Sequence, residues 1–363
     1  MVRSKTIIAT PPGATVKEQL IDRGMTQKEF ASRMDMSEKH ISKLINGEVR
    51  LTSDVAMRLE VVLGIPSSFW MNLESIYRER LVMAQIERET EEDLEIVKML
   101  PYSEMARHGW VPDTRKPIER VINCRKFFEV VRLNLLNESL IPNIAYRRTG
   151  SISEAGTGNR AATRSDYALI AWAQKAKLSA RKIRTAQIDI EELSSRLPSI
   201  RAMTLAEPDK FCPELCASMA GCGVALVFLP HFGGSFLHGA TFRDNNKIVV
   251  GLTLRGRDSD KFWFSLFHEL GHIVLGHTEH EGGTTPSDER DADIFARDIL
   301  IPENDFKRFV LAGRFDKASV LAFSESISIA PGIVVGRLQK EKYVDYGYLE
   351  ELKTKYAFEP AGT

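Results

Sequence analysis

FHELGHIVLGH (267–277) is the stretch on which the reading of the C-terminal half turns. Two histidines four residues apart, His268 and His272, leave a helix from one face, close enough to hold a single Zn²⁺. Glu269 lies about 100° further round the helix, where a carboxylate can take a proton from an attacking water. The plainer reading is an amphipathic core helix with two hydrogen-bonded histidines. That reading must also explain the glutamate.

A third ligand narrows the choice. The metzincin pattern requires a glycine at position 275 and a histidine at position 278. Leu275 and Thr278 stand there instead, so that class is excluded. The other common solution is a glutamate from a following helix. After the Gly/Thr-rich turn EGGTTPS (281–287), the run DERDADIFARDILIP (288–302) is amphipathic, with Ser287 as its expected N-cap. Ala292, Phe295, Ala296, Ile299 and Leu300 form the apolar face. A first-turn carboxylate at Glu289 suits the helix dipole. Yet Glu289 lies three residues before Ala292 and seven before Ala296, on the buried face. A carboxylate there is costly unless something positive pairs with it, and a zinc ion would.

Strand-length apolar runs precede this pair of helices: GVALVFLP (223–230) and IVVGLTL (248–254). Together with GATFRDNNKIVVGLTLRGRDSDKFWF, the two helical motifs and the tail SESISIAPGIVVGRLQKE (324–341), residues 205–345 resemble the ImmA/IrrE family of metallopeptidases. The family's second motif, E-x-x-A-[ND]-x-F-A, is matched by Glu289 through Ala296. The resemblance implies His268, His272 and Glu289 as zinc ligands and Glu269 as general base. No obvious oxyanion donor can be read from the sequence; His277 is a candidate.

The N-terminal third reads differently. Short helical segments alternate with sharp punctuation. VKEQLIDRG puts Val16, Leu20 and Ile21 on one side and stops at Gly24. In TQKEFASRM, Thr26 and Glu29 have capping-box spacing. Ser37 is placed to cap EKHISKLINGE, which buries Ile41, Leu44 and Ile45, and a further helix starts at Ser53. Two short helices joined by a tight turn, with a polar outer face on the second, make the helix-turn-helix pattern. The residues expected at DNA are Lys39, His40, Ser42 and Lys43 on the second helix. Gln27 and Arg50 are expected at phosphates. Ten Lys/Arg against eight Asp/Glu in residues 1–60 leave little local charge, so tight binding calls for a dimer. The plainer reading is a small bundle for protein contacts. Residues 10–80 closely resemble the HigA-type antitoxins of the XRE-like superfamily, through the PPG start, GMTQKEFA, ING, AMRLE and FWMNLE. That resemblance implies a dimeric repressor.

Between the two ends, SSFWMNLESIYRERLVMAQIERE predicts one long helix with a stripe of Phe69, Leu73, Ile76, Tyr77 and Ala84. ERETEEDLE (87–95) is a charged, solvated stretch and the expected domain junction. Helical patterns follow, interrupted by RRTGSISEAGTGNRAATR (147–164), which lacks periodicity and reads as a surface loop, an anion-binding loop or a cleavage site. Cys212, Cys216 and Cys222 have no second ligand pair and read as small buried hydrophobes. Equal numbers of basic and acidic residues, 49 each, announce neither nucleic acid nor membrane for the whole chain. No apolar run approaches the ~20 residues of a membrane span and no signal peptide is evident, so a cytoplasmic location is expected.

The expected architecture is therefore a mainly α helix-turn-helix domain (1–95), a helical middle region (96–204), an α+β zincin-like metallopeptidase domain (205–345) and a C-terminal extension (346–363). The expected function is a homodimeric regulator of double-stranded DNA, at an inverted-repeat operator. It carries a Zn²⁺-dependent peptidase that cuts a partner or itself on a signal. The alternative is a non-catalytic antitoxin whose zinc domain senses a signal or clasps a toxin or repressor protein.

Overall fold

The computed structural model describes residues 2–3, 7–136, 145–146, 163–232, 239–253, 258–279 and 284–357. The chain divides into two compact units, Met1–Glu95 and Ile96–Thr363.

The first unit opens with a two-stranded antiparallel pair, β1 (Val2–Arg3) and β2 (Ile8–Ala9). Four short helices follow: α1 (Pro12–Asp22), α2 (Gln27–Arg33), α3 (Glu38–Asn46) and α4 (Ser53–Leu63). Each start has a local cause. The side chains of Thr26, Ser37 and Thr52 accept hydrogen bonds from the backbone N–H of Glu29, His40 and Val55, satisfying donors a helix leaves open. Gly47 and Gly64 end α3 and α4 in the left-handed conformation. Val16, Leu20, Phe30, Met34, Ile41, Leu44, Leu51, Leu59 and Trp70 close the core. Arg58 donates to the Met34 carbonyl (2.9 Å) and Arg23 to the Leu63 carbonyl (2.6 Å), tying α4 to the turns around it.

Four local expectations are corrected. Glu29 does not complete a capping box, because its carboxylate takes a hydrogen bond from Arg33 at 2.6 Å. Ile21 is 69% exposed, since one residue after Leu20 turns it about 100° away from the core. In α5 (Ser67–Met99), Trp70, Tyr77 and Ala84 are buried, whereas Phe69 and Ile76 lie out in solvent. The charged 87–95 stretch is part of this helix, and Asp93 within it is buried.

The second unit is built on a four-stranded sheet in the order β3-β5-β6-β4, formed by β3 (Ala145–Tyr146), β4 (Val224–Leu229), β5 (Gly239–Asp244) and β6 (Lys247–Thr253). β4 runs parallel to β6, and the other neighbours are antiparallel. Asn245, with φ 56°, makes the tight β5–β6 turn and pairs Asp244 with Lys247. An Asn tolerates that left-handed conformation better than most residues.

α6 (Tyr102–Arg107), α7 (Pro117–Phe128), α8 (Arg164–Ala180), α9 (Ile190–Ala202) and α10 (Pro208–Ala220) lead to the sheet; α11 (Ser259–Val274) and α12 (Pro286–Leu300) follow it. Helices α13 (Glu303–Leu311), α14 (Lys317–Ser326) and α15 (Pro331–Lys340) complete the unit. The stretch expected as a separate middle region belongs to this unit. α8 lies on β4 and β6, and Trp172 presses on Gly251 so closely that a Cβ there would sit 2.5 Å from its ring. Leu193, Leu197 and Ile200 of α9 join the same core as Trp263 and Phe267 of α11. The described part of the C-terminal extension is also packed in. Tyr356 accepts from the Trp263 indole at 3.0 Å, and buried Lys353 donates to Gln339 at 2.6 Å. Of the 147–164 stretch, residues 147–162 lie outside the described residues, while Thr163 caps α8 in a capping box with Asp166. Among the described residues, no single helix is long and apolar enough to cross a membrane.

Candidate metal centre and nucleic-acid surface

α11 is buried on nearly all sides, with Phe262, Trp263, Leu266, Phe267, Leu270 and Ile273 all within the core. A helix apolar all round belongs between layers. His268, Glu269 and His272 are therefore carried into a water-poor interior, at 0%, 2% and 2% exposure. Polar groups placed there need partners.

α12 supplies them. Its first turn is fixed by Thr285 rather than by Ser287: Thr285 accepts from Asp288 N–H, and the Asp288 carboxylate accepts from Thr285 N–H, with Pro286 at the first helical position. Proline suits that position because its missing N–H would be unpaired in any case. The turn residues 280–283 lie outside the described residues. Close contact between the two helices depends on Gly271, whose added Cβ would meet Ala292 Cα at 3.2 Å and Phe295 Cδ1 at 3.1 Å. This approach brings Glu289 to the histidine pair.

The resulting geometry is compact. His268 Nε2 and His272 Nε2 are 3.0 Å apart, and the Glu289 carboxylate lies 3.3 Å from the first and 3.5 Å from the second. Donor atoms sharing one tetrahedral Zn²⁺ at ~2.0–2.1 Å would be separated by roughly 3.3 Å. The two Glu289 distances are to different oxygens, Oε2 to His268 and Oε1 to His272, and with the histidine pair they lie close to that value. The chemistry agrees with the spacing. His268 Nδ1 lies 2.8 Å from Asp293 Oδ1, and a carboxylate only accepts, so a neutral His268 carries its hydrogen on Nδ1 and turns its Nε2 lone pair to His272 and Glu289. Electron-rich atoms brought this close in a buried site repel unless a cation lies among them. The donor set fits zinc.

The side chains are tuned accordingly. Burial, reinforced by neighbouring His268, pushes the His272 pKa down to about 4, so its ring is neutral and able to ligate at neutral pH. For Glu289, burial pushes the pKa up, but its contacts with His268, His272 and Thr284 outweigh it and hold the carboxyl below its usual range. Thr284 donates to Glu289 Oε1 at 2.9 Å and holds that carboxylate in place.

Glu269 is not one of the three clustered residues. Its Oε2 accepts from the Thr241 hydroxyl on β5 at 2.7 Å, and Gly239 on the same strand leaves room for its Oε1. Thr241, Gly239 and Asp293 were not anticipated from the sequence as site residues. Asp293 had a readable signal, being four residues after Glu289 on the same helix face. Thr241 had none, because only sheet register brings it to Glu269. His277, the oxyanion candidate, lies behind His272, its Nδ1 3.0 Å from His272 Nδ1.

In the first unit, α3 buries Ile41, Leu44 and Ile45 and leaves Lys39 and Lys43 exposed, with Gln27 and Arg50 exposed beside it. His40 and Ser42 are half-buried, and His40 Nε2 is buried with no hydrogen-bond partner. Lys39 and Lys43 are four residues apart on one helical face, as a groove-reading helix requires.

Comparison with known proteins places both ends. A helix-turn-helix family model matches residues 16–70, and the model of peptidase family M78, described as an IrrE N-terminal-like domain, matches residues 239–326. The uncharacterized HTH-type transcriptional regulator YddM of Escherichia coli is 32% identical over 66 residues, which is 18% of this chain and 70% of that protein. Antitoxin HigA-1 of Vibrio cholerae is 36% identical over 63 residues, 17% of this chain; the chain spans 59% of that relative's length. A solved addiction module antidote protein of a HigA family from Coxiella burnetii is 23% identical, covering 23% of this chain and 94% of that one, with a TM-score of 0.22. The chain belongs to the helix-turn-helix transcriptional regulators, with an antitoxin-like, XRE-type domain at its N-terminus and an IrrE-like domain of peptidase family M78 behind it.

Proposed function

We propose that this protein is a homodimeric, cytoplasmic repressor whose second unit is a zinc-dependent peptidase, cutting a partner protein or the chain itself when a signal arrives. The observation that carries the reading is the convergence of His268, His272 and Glu289 beside a buried Glu269 that contributes to none of the three close edges. The three residues would hold one Zn²⁺, which supplies Lewis-acid polarisation of a peptide carbonyl and acidification of water.

The chain's own groups do the rest. Thr241 donates to Glu269 Oε2 and fixes the plane of the carboxylate. Glu269 takes the proton of the attacking water and returns it to the departing amine, as a general base and then a general acid. Burial between layers keeps bulk water from competing. In the first unit, α3 lies in the major groove, with Lys39, Lys43, Gln27 and Arg50 at the phosphates and base edges. Two copies read an inverted repeat.

A second reading is favoured by the likeness to Antitoxin HigA-1: the zinc unit clasps a toxin or senses a signal without cutting. Glu269→Gln separates the two. It should leave zinc content, folding and operator binding intact and lower cleavage by about 10²–10⁴-fold. If the variant releases the target promoter under the inducing stress as fully as wild type, turnover is not the signal and the second reading holds.

A further inference from the structure

The two ligand histidines are supported differently. His268 has a carboxylate directly on its Nδ1, Asp293 at 2.8 Å. His272 has another imidazole there, His277 Nδ1 at 3.0 Å, with ring centroids 5.2 Å apart and planes at 66°. On the far side of that second ring, His277 Nε2 lies 3.7 Å from Asp288 Oδ1, longer than a hydrogen bond but close enough for the carboxylate's charge to orient the ring. The other oxygen of Asp288 is engaged in capping α12, accepting from Thr285 N–H at 2.8 Å. His272 and His277 are both buried.

We propose that His277 is a positioning residue, which relays the Asp288 carboxylate to His272 and fixes the tautomer and ring angle of that ligand. The assignment follows from hydrogen counting. A neutral imidazole has one N–H and one lone pair, and of two nitrogens 3.0 Å apart one donates and the other accepts. Were His277 Nδ1 the donor, its Nε2 lone pair would face the Asp288 carboxylate, acceptor against acceptor. With His277 Nε2–H turned to Asp288, its Nδ1 accepts from His272 Nδ1–H. The lone pair of His272 is then on Nε2, facing His268 Nε2 and Glu289. Each ligand histidine thus ends on a carboxylate, one directly and the other through a ring.

The chain reaches this arrangement through Gly276. Leu275 N–H and Gly276 N–H still bond back to Gly271 and Ile273, and Gly276 then takes φ 77°. That left-handed step ends α11 and folds the next residue back over the preceding turn. The same first turn of α12 holds Asp288 and the ligand Glu289, so His277 also links the loop after α11 to the helix bearing the third ligand.

The inference rests on the zinc reading above, and the test keeps the two apart. Zinc affinity of the full chain is measured by competition with a chromophoric chelator for wild type, His277→Gln and His277→Leu. Gln retains an acceptor for His272 Nδ1–H, whereas Leu fills the space without one. Loss of an outer partner of a ligand histidine typically costs about 10–100-fold in metal affinity. That loss is expected for His277→Leu, with most of the affinity kept by His277→Gln. In zinc-loaded wild type labelled with ¹⁵N-histidine, His277 should read as the neutral Nε2–H tautomer, a readout independent of whether the variants fold. Equal affinities for the Leu and Gln variants, or an Nδ1–H tautomer at His277, would overturn the relay while leaving zinc binding in place. A wild-type chain that takes up no zinc would overturn both.

Discussion

Gly239→Ala tests the placement of Glu269 without touching any ligand. A Cβ at Gly239 would stand 2.6 Å from Glu269 Oε1, 2.8 Å from its Cγ and 2.9 Å from its Cδ. Gly239 is in a β-strand, and an alanine there meets no backbone restriction of its own. The collision is therefore with one side chain. Ordinary non-bonded contact begins near 3.5 Å, so the carboxylate must withdraw by roughly 0.9 Å. Thr241 holds the other oxygen at 2.7 Å from across the same strand, and that bond lengthens or breaks when Glu269 shifts. A misplacement of about 1 Å can cost on the order of 10²-fold in rate, or about 2.7 kcal/mol of transition-state stabilisation. The assay compares wild type and Gly239→Ala, each loaded with one equivalent of zinc, for hydrolysis of a quenched fluorogenic peptide library. Metal content and thermal unfolding are followed in parallel. Turnover should fall about 100-fold, with zinc retained. Undiminished cleavage would refute the idea that Glu269 must stand where it does. Loss of zinc together with activity would show that the substitution acts on the ligands instead.

His268→Ala and Glu289→Ala should each lower the zinc content of the purified chain, because each leaves only two of three protein ligands; elemental analysis showing full occupancy in either variant contradicts the ligand set. For the DNA-binding unit, a 1–95 fragment should dimerise and bind an inverted repeat near its own promoter. Lys43→Ala should weaken that binding, and Lys39→Ala and Arg50→Ala should flatten its salt dependence; salt titrations by fluorescence anisotropy decide this, and unchanged slopes count against those contacts. The metal-free protein should lose stability in acid. The folded His272 ring stays neutral down to about 4, whereas the unfolded ring protonates below ~6.5, so the unfolded state binds the extra proton in between. The contribution is full above pH ~6.5 and drains away as pH falls towards 4. Thermal midpoints in chelator should decline over that window, and His272→Gln should remove part of the decline; an unchanged slope in that variant would contradict the assignment.

Signals confined to a few neighbouring residues were legible in the chain itself. Thr26 and Ser37 at helix starts and Gly47 at a helix end lie within one turn of the groups they satisfy, so the helix-turn-helix was readable without a third dimension. His268 and His272 share a helix face by spacing alone, and Glu289 was readable because a carboxylate on an apolar face demands a cation. Single-turn details were less secure where two residues compete. Thr285 caps α12 ahead of Ser287 because Pro286 suits the first helical position and Asp288 completes the box. Trp70 rather than Phe69 enters the core because a shift of one residue turns a side chain about 100° round the helix. Everything joining distant parts of the chain was decided by the tertiary structure. Sheet register puts Thr241 and Gly239 against Glu269, and Gly271 lets α12 approach closely enough for Glu289 to arrive. The α8 helix covers the sheet, and Tyr356 from the C-terminal tail meets Trp263. Spacing along the chain fixes which groups share a turn, but only packing fixes which turns share a site.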